Sequence, residues 1–152
     1  MSEVKVIFFT ALKQAIIDEV VSYVPSGYDL TVIGRESTKE QQIEAVKDAD
    51  FLLCYGMDPS DEVVRAAEKC RLVQLLAAGY DRVNLTLLRD LEIPCANNGG
   101  ANSWAVSDHA LLLMLSIYKQ LLASDPATRQ GRWNEPITGQ NTFEMAGKKV
   151  GI

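Results

Sequence analysis

Histidine is nearly absent from this chain: a single one, His109, stands in 152 residues. Together with the lack of any clustered His, Cys, Asp and Glu spacing, that argues against a metal centre. It also leaves no Ser–His–Asp arrangement above chance. Cysteine is scarce too. The three present, Cys54, Cys70 and Cys95, are odd in number and show no C-x-x-C spacing. Each lies in an apolar setting ("LLCYG", "EKCRL", "IPCAN"), so they read as buried reduced thiols and point to a reducing compartment, the cytoplasm. No basic run occurs, and the net charge of −5 with a pI near 4.9 argues against nucleic acid and anionic membrane as partners. No apolar stretch reaches the about 18 residues of a membrane span, and no signal pattern precedes the first strand-like run. Neither G-x-G-x-x-G nor G-x-x-x-x-G-K-[ST] occurs, so the sequence contains no phosphate loop of either kind.

What is present is ordinary for a globular protein: 47% hydrophobic and 23% charged residues. The length suits one domain, or one domain with part of another. Strand-like and helix-like segments alternate. "VKVIFFT" (Val4–Thr10) is apolar and β-branched or aromatic, as in a strand covered on both faces. "LKQAIIDEVVSYV" (Leu12–Val24) has apolar residues at helical spacing. "LTVIG" (Leu30–Gly34) reads as a second strand. Thr38 caps a helix over Thr38–Ala49. "DFLLCYG" (Asp50–Gly56) is a third strand, and Pro59–Cys70 is a helix with Ser60 as cap. "LVQLLAAG" (Leu72–Gly79) is a fourth strand. Asn84 caps a short helix over Asn84–Leu91, and "IPCAN" (Ile93–Asn97) is a fifth strand. Strands separated by helices predict a parallel α/β sheet with helices on both faces. Five such units fit a flavodoxin-like order, 2-1-3-4-5.

The pattern changes after Asn97. "NNGGANS" is a turn cluster. Trp104–Ala123 reads as one long helix. Val106, Ala110, Leu111, Leu113, Met114, Leu115, Ile117, Tyr118, Leu121 and Leu122 cover an arc of roughly 200° on it, against the about 100° stripe of an ordinary surface helix. Such a helix expects cover from two directions. Ser124–Gly147 is polar and rich in Gly and Pro, and reads as a wrapping loop. "GKKVGI" (Gly147–Ile152) then reads as a strand beginning.

Three places draw functional attention. "CYGM" (Cys54–Met57) and "AAGYD" (Ala77–Asp81) fall where strands three and four end, where open α/β sheets bind ligands and where glycine lets backbone N–H groups approach a small anion. A plain turn role accounts for these glycines as well. Asn102 and Ser103 precede the long helix, whose free N–H groups suit an anion; simple capping is the alternative. His109 lies on the polar side of that helix, with no orienting partner evident, and reads as structural rather than as a base.

The run "LVQLLAAGYDRVNLTLLRDLEIPCANNGGANSWAVSDHALLLML" resembles the NAD-dependent D-2-hydroxyacid dehydrogenases. A strand ends in A-G-Y-D-x-V, then come a short helix, I-P-x-x-N, a turn, and A-N-S-x-x-V-S-D-H-A-L-x-L-M-L. "RQGRW" (Arg129–Trp133) and "MAGKKVGI" match later landmarks. The resemblance is strongest from about Asp50 onward.

The resemblance implies a division into a flavodoxin-like substrate lobe (1–100), an interdomain and dimerisation segment (101–147), and the first strand (148–152) of a missing dinucleotide-binding domain. On this view the family's arginine, glutamate and histidine lie outside the chain, and His109 is none of them. It also implies that the backbone at Tyr55, Gly56 and Met57 meets a substrate carboxylate. Ala78 and Gly79 would approach from the next loop, Asn102 would contact substrate and Ser103 the cofactor. Asn84 departs from the family's usual aspartate, and Tyr55 from its usual arginine or serine. The cofactor of the full enzyme would be NAD or NADP, with no tight binding to this fragment. The partners would be a small 2-hydroxy or 2-oxo acid and a second copy joined through Trp104–Ala123. The chain alone is expected to be inactive. The alternative is a free-standing flavodoxin-like binding or dimerisation module without catalysis.

Overall fold

In a computed structural model, residues 3–133 and 141–151 are described. The strands are β1 (Val4–Thr10), β2 (Tyr28–Ile33), β3 (Phe51–Tyr55), β4 (Leu72–Leu75) and β5 (Cys95–Ala96). They form one parallel sheet in the order β2-β1-β3-β4-β5, the flavodoxin-like order read from the sequence. The helices are α1 (Gln14–Ser22), α2 (Lys39–Val46), α3 (Asp61–Ala66), α4 (Leu85–Asp90), α5 (Ser103–Tyr118) and α6 (Leu121–Arg129).

Local chemistry fixes several of these ends. Thr38 begins α2 with a reciprocal capping box: its hydroxyl accepts from the Gln41 N–H at 3.3 Å, and the Gln41 side chain accepts from the Thr38 N–H at 2.8 Å. The Asn84 side chain accepts from the Leu87 N–H at 3.0 Å and donates to the Asp61 carboxylate at 2.8 Å, tying the start of α4 to the start of α3. Ser60 occupies the cap position of α3 without a side-chain bond; Asp61 and Glu62 in the first turn favour that end instead.

Right-handed crossovers decide which face each helix covers. The chain moves one way from β1 to β2, and the other way from β2 to β3, β4 and β5. One face therefore receives α1, and the opposite face receives α2, α3 and α4. The main core lies on the second face. Ile7, Phe9, Leu52, Cys54, Val73 and Leu75 of the sheet pack there with Val46, Val63, Leu87 and Leu88 of the helices. On the first face, Val6 and Phe8 are buried beside Val20 of α1 and the nearby Val24.

The chain divides into two units, Met1–Ala101 and Asn102–Ile152. In the second, the expected continuous helix over Trp104–Ala123 is instead two helices. α5 ends at Tyr118, and Gln120 takes a left-handed conformation (φ 51°), which breaks the ladder before α6 starts. The expected loop from Ser124 begins as the remainder of α6, with Pro126 inside the helix. Arg129 bonds back to Asp125 at 2.9 Å, and the Thr128 hydroxyl donates to the Ser124 carbonyl at 2.8 Å, both one turn apart. Phe143 returns to α5: its N–H donates to the Tyr118 carbonyl at 3.0 Å and its ring meets the Tyr118 ring edge-on at 5.8 Å. Residues 148–151 form no strand, and Ile152 and positions 134–140 of the expected loop lie outside the described residues.

Candidate functional site

A doubly wound sheet binds ligands outside the carboxyl ends of its strands, near the point where strand order reverses. Here that point lies between β1 and β3. The chain leaving β3 bridges back to the end of β1 at Thr10 and Gly56, and the Ala11 N–H donates to the Tyr55 carbonyl at 3.3 Å. Gly56 has φ 71°, a conformation that suits glycine because a Cβ there crowds the backbone. Met57 turns inward and packs against the core.

The loop after β4 is held by the segment after β5. The Asn97 side chain donates to the Ala78 carbonyl at 2.7 Å, and the Asn98 N–H donates to the Ala77 carbonyl at 3.0 Å. These bonds fix Ala78 and leave Gly79 at the edge of a cavity of about 200 Å³. Gly56 lies on the same wall, with Cys54 and Leu75 at its floor and Asp58, Tyr80 and Arg82 at its rim. A neighbouring cleft of about 310 Å³ shares Leu75 and Tyr80 and extends to Asn97.

The structure thus brings Gly56 and Gly79, one from each of the two loops singled out in the sequence, onto one cavity, while Tyr55, Met57 and Ala78 do not line it. Asn102 and Ser103 belong to the second unit, where Asn102 precedes α5 and forms no side-chain cap. His109 is exposed on α5. Sequence reasoning passed over Arg82, which brings a cation to the cavity rim and forms no ion pair among the described residues. An exposed arginine in "GYDRV" carries no signal until the loop is folded.

Cys54 is buried, and that burial, reinforced by the charge of Asp58, pushes its thiol up to about 12. At neutral pH it is a protonated, apolar floor residue and not a nucleophile. Among the described residues no group of His, Cys, Asp and Glu is placed to hold a metal.

The sequence profile of D-isomer specific 2-hydroxyacid dehydrogenase, catalytic domain, matches residues 6–150. The chain belongs to this family. A glyoxylate reductase from Korarchaeum cryptofilum is 33% identical over 119 residues, covering 76% of this chain and 36% of that protein. An NADPH-dependent glyoxylate/hydroxypyruvate reductase from Sinorhizobium meliloti, solved with citrate, superposes with a TM-score of 0.74 at 20% identity, over 97% of this chain and 45% of its own. A 3-phosphoglycerate dehydrogenase from Entamoeba histolytica, solved with bound NAD+, superposes with a TM-score of 0.62 at 20% identity, over 91% of this chain and 43% of its own. The chain therefore spans less than half the length of these 2-hydroxyacid dehydrogenases, and its match is to their catalytic domain.

A nicotinamide dinucleotide requires a cradle for its pyrophosphate, usually a glycine-rich strand-to-helix turn. Among the described residues no such turn follows a strand; Gly99 and Gly100 precede α5 without the spacing. The residues present do not fit the whole cofactor by themselves.

Proposed function

We propose that this chain is the substrate-holding lobe of an oxidoreductase acting on a small 2-hydroxy or 2-oxo acid, or on formate. The observation that carries the reading is the convergence of Gly56 and Gly79 on one cavity with Arg82 at its rim. Backbone N–H groups of Tyr55, Gly56 and Met57 on one side, and of Ala78 and Gly79 on the other, suit a carboxylate of two or three carbons. Arg82 adds a cation within the same space, beside the carboxylates of Asp58 and Asp81, and is the group there that can pair with a substrate carboxylate. Asn102 then contacts the substrate and Ser103 the cofactor. The cofactor, NAD or NADP, supplies the hydride chemistry.

On this reading residues 1–100 form the lobe, 101–147 the interdomain and dimerisation segment, and 148–152 a segment that pairs as the first strand only within a dinucleotide-binding domain. The lobe lacks a dinucleotide cradle, so the 152-residue chain alone carries out no hydride transfer and binds the cofactor weakly. The protein works in the cytoplasm, consistent with its reduced thiols. No helix among the described residues is long and apolar enough to cross a membrane. Two copies associate through the apolar helix region Trp104–Ala123.

Titration with glyoxylate, hydroxypyruvate and formate, followed by amide NMR, tests the lobe assignment. The expected result is millimolar binding with shifts concentrated at Gly56, Gly79 and Tyr80. Shifts elsewhere, or none, would reject it. Reduction of glyoxylate by the pure chain with NADH or NADPH would reject the prediction of inactivity.

A further inference from the structure

The segment that follows β5 runs Asn97, Asn98, Gly99, Gly100, and all of these residues are exposed. Asparagine is chemically labile because its side-chain amide is an acyl group within reach of its own backbone. The nitrogen of the next residue can attack Cγ and close a cyclic imide. Three conditions favour that attack. The next residue must be slim, which glycine satisfies because it has no Cβ. The backbone must be free to turn, which a helix or a strand ladder prevents. Neither the amide nor the attacking nitrogen should be held in a hydrogen bond, since an engaged group must first be released.

Asn98 meets all three. It is the one asparagine in the chain that glycine follows. It lies outside every helix and strand, and Gly99 opens a turn. Among the described residues the Gly99 N–H donates to no acceptor, and the Asn98 side chain has no hydrogen-bond partner. The neighbouring asparagines show the contrast. At Asn97 both reacting groups are engaged: its side chain donates to the Ala78 carbonyl at 2.7 Å, and the nitrogen that would attack it, that of Asn98, donates to the Ala77 carbonyl at 3.0 Å. Asn102 is followed by Ser103, the first residue of α5, and its carbonyl already accepts from the Val106 N–H at 2.9 Å. The Asn84 side chain is bonded at both ends, to Leu87 and to Asp61.

We propose that Asn98–Gly99 is a site of self-modification whose product loosens the loop after β4. The Gly99 nitrogen gives its proton to hydroxide and bonds to Cγ of Asn98. The Cγ–Nδ2 bond then breaks and ammonia leaves. Water opens the imide in one of two ways. Opening at Cγ leaves aspartate with the original main chain. Opening at the former backbone carbonyl leaves isoaspartate, whose main chain runs through Cβ and Cγ. Overall one water enters and one ammonia departs, so no oxidant or reductant is needed. Either product carries a carboxylate that is ionised at neutral pH. Isoaspartate also inserts a methylene between the Cα of residue 98 and the Gly99 nitrogen. That insertion falls beside both bonds that hold the loop. The Asn98 N–H fastens Ala77, and the Asn97 side chain fastens Ala78. The Asn97 side chain also lies against Gly99, where an added Cβ would meet its Oδ1 at 3.6 Å and its Nδ2 at 3.7 Å. Rerouting the chain at Gly99 therefore disturbs the strap on the loop that carries Gly79.

The test ages the full chain in warm, mildly alkaline buffer. Peptide mass mapping follows the amide-to-acid change, and an isoaspartyl methyltransferase serves as the probe for the rearranged residue. Gly99→Ala is the comparison: its Cβ makes only ordinary contacts and the backbone there is not left-handed, so the fold is kept while the attack is crowded. Freshly purified Asn98→Asp supplies the charge without the extra methylene. The expected result is acid at residue 98 before any other asparagine converts, with isoaspartate present, and a several-fold slower reaction in Gly99→Ala. In the aged wild type the backbone amide of residue 98 should lose hydrogen-exchange protection and the Gly79 amide resonance should shift, both by more than in fresh Asn98→Asp. An Asn98 that remains an amide, another asparagine that converts first, or an equal rate in Gly99→Ala overturns the site. Conversion that leaves the residue 98 amide protected and the Gly79 resonance unmoved overturns its action on the loop.

Discussion

Two glycines at the cavity separate shape from binding. Gly56 has φ 71°, so an alanine there is strained and should cost about 1–2 kcal/mol, read as a lower urea midpoint. At Gly79 the backbone is not left-handed, and an added Cβ would meet only the Asp81 carboxylate at 3.7 Å, an ordinary contact. Gly79→Ala should therefore leave stability within about 0.5 kcal/mol of wild type. If the backbone of that loop approaches the ligand, the same methyl group occupies the ligand's space, and glyoxylate shifts at Gly56 should vanish in Gly79→Ala. Unchanged binding would remove this loop from the site. Cys54 makes a different prediction. Its folded value is raised, so the stability it contributes is complete below the unfolded thiol value near pH 8.5 and is lost as pH rises toward about 12. By pH 10 that loss is about 2 kcal/mol for one buried thiol. Comparing urea midpoints at pH 8 and pH 10 for wild type and Cys54→Ala should show a smaller fall in the variant.

At the scale of elements, Asn84 does two jobs, capping α4 and bonding to Asp61 at the start of α3. Asn84→Ala should cost about 1 kcal/mol through the cap. Asn84→Asp keeps the cap acceptor but sets a carboxylate against Asp61, so it should recover less than a full cap at neutral pH and more at low pH, read from melting temperatures. The capping residues of α2 and α4 were legible because Thr and Asn announce a helix start by their own chemistry. The break at Gln120 was not. Glutamine is an ordinary helix former, and its left-handed conformation is imposed from outside its own sequence preference. α6 was hidden by Pro126, which reads as a breaker, yet the turn bonds of Thr128 and Arg129 sustain a short helix around it. At the cavity, the glycine loops were visible as strand endings, whereas Arg82 reaches the rim only through the folding of its loop.

For the molecule as a whole, strand order was legible because runs such as "VIFF" and "FLLC" are apolar at consecutive positions, and the alternation with helices leaves few topologies. Those runs demand cover on both faces without saying which face lacks it. That follows from the direction of the crossovers, a property of the assembled sheet. The consequence is a strongly uneven distribution of stability. Phe8, Phe9 and Leu52 are fully buried at the centre of the sheet, while α5 buries nothing. Hydrogen exchange should reflect this difference, since opening free energy follows buried apolar contact. Amides of β1 and β3 should exchange only through global unfolding, the slowest route. Amides of α5 should exchange by local fraying in dilute solution, then slow as concentration rises and a second copy covers the helix. Equal, concentration-independent protection of α5 and β3 would mean that α5 is already packed within the single chain, and the apolar stripe would then need no partner.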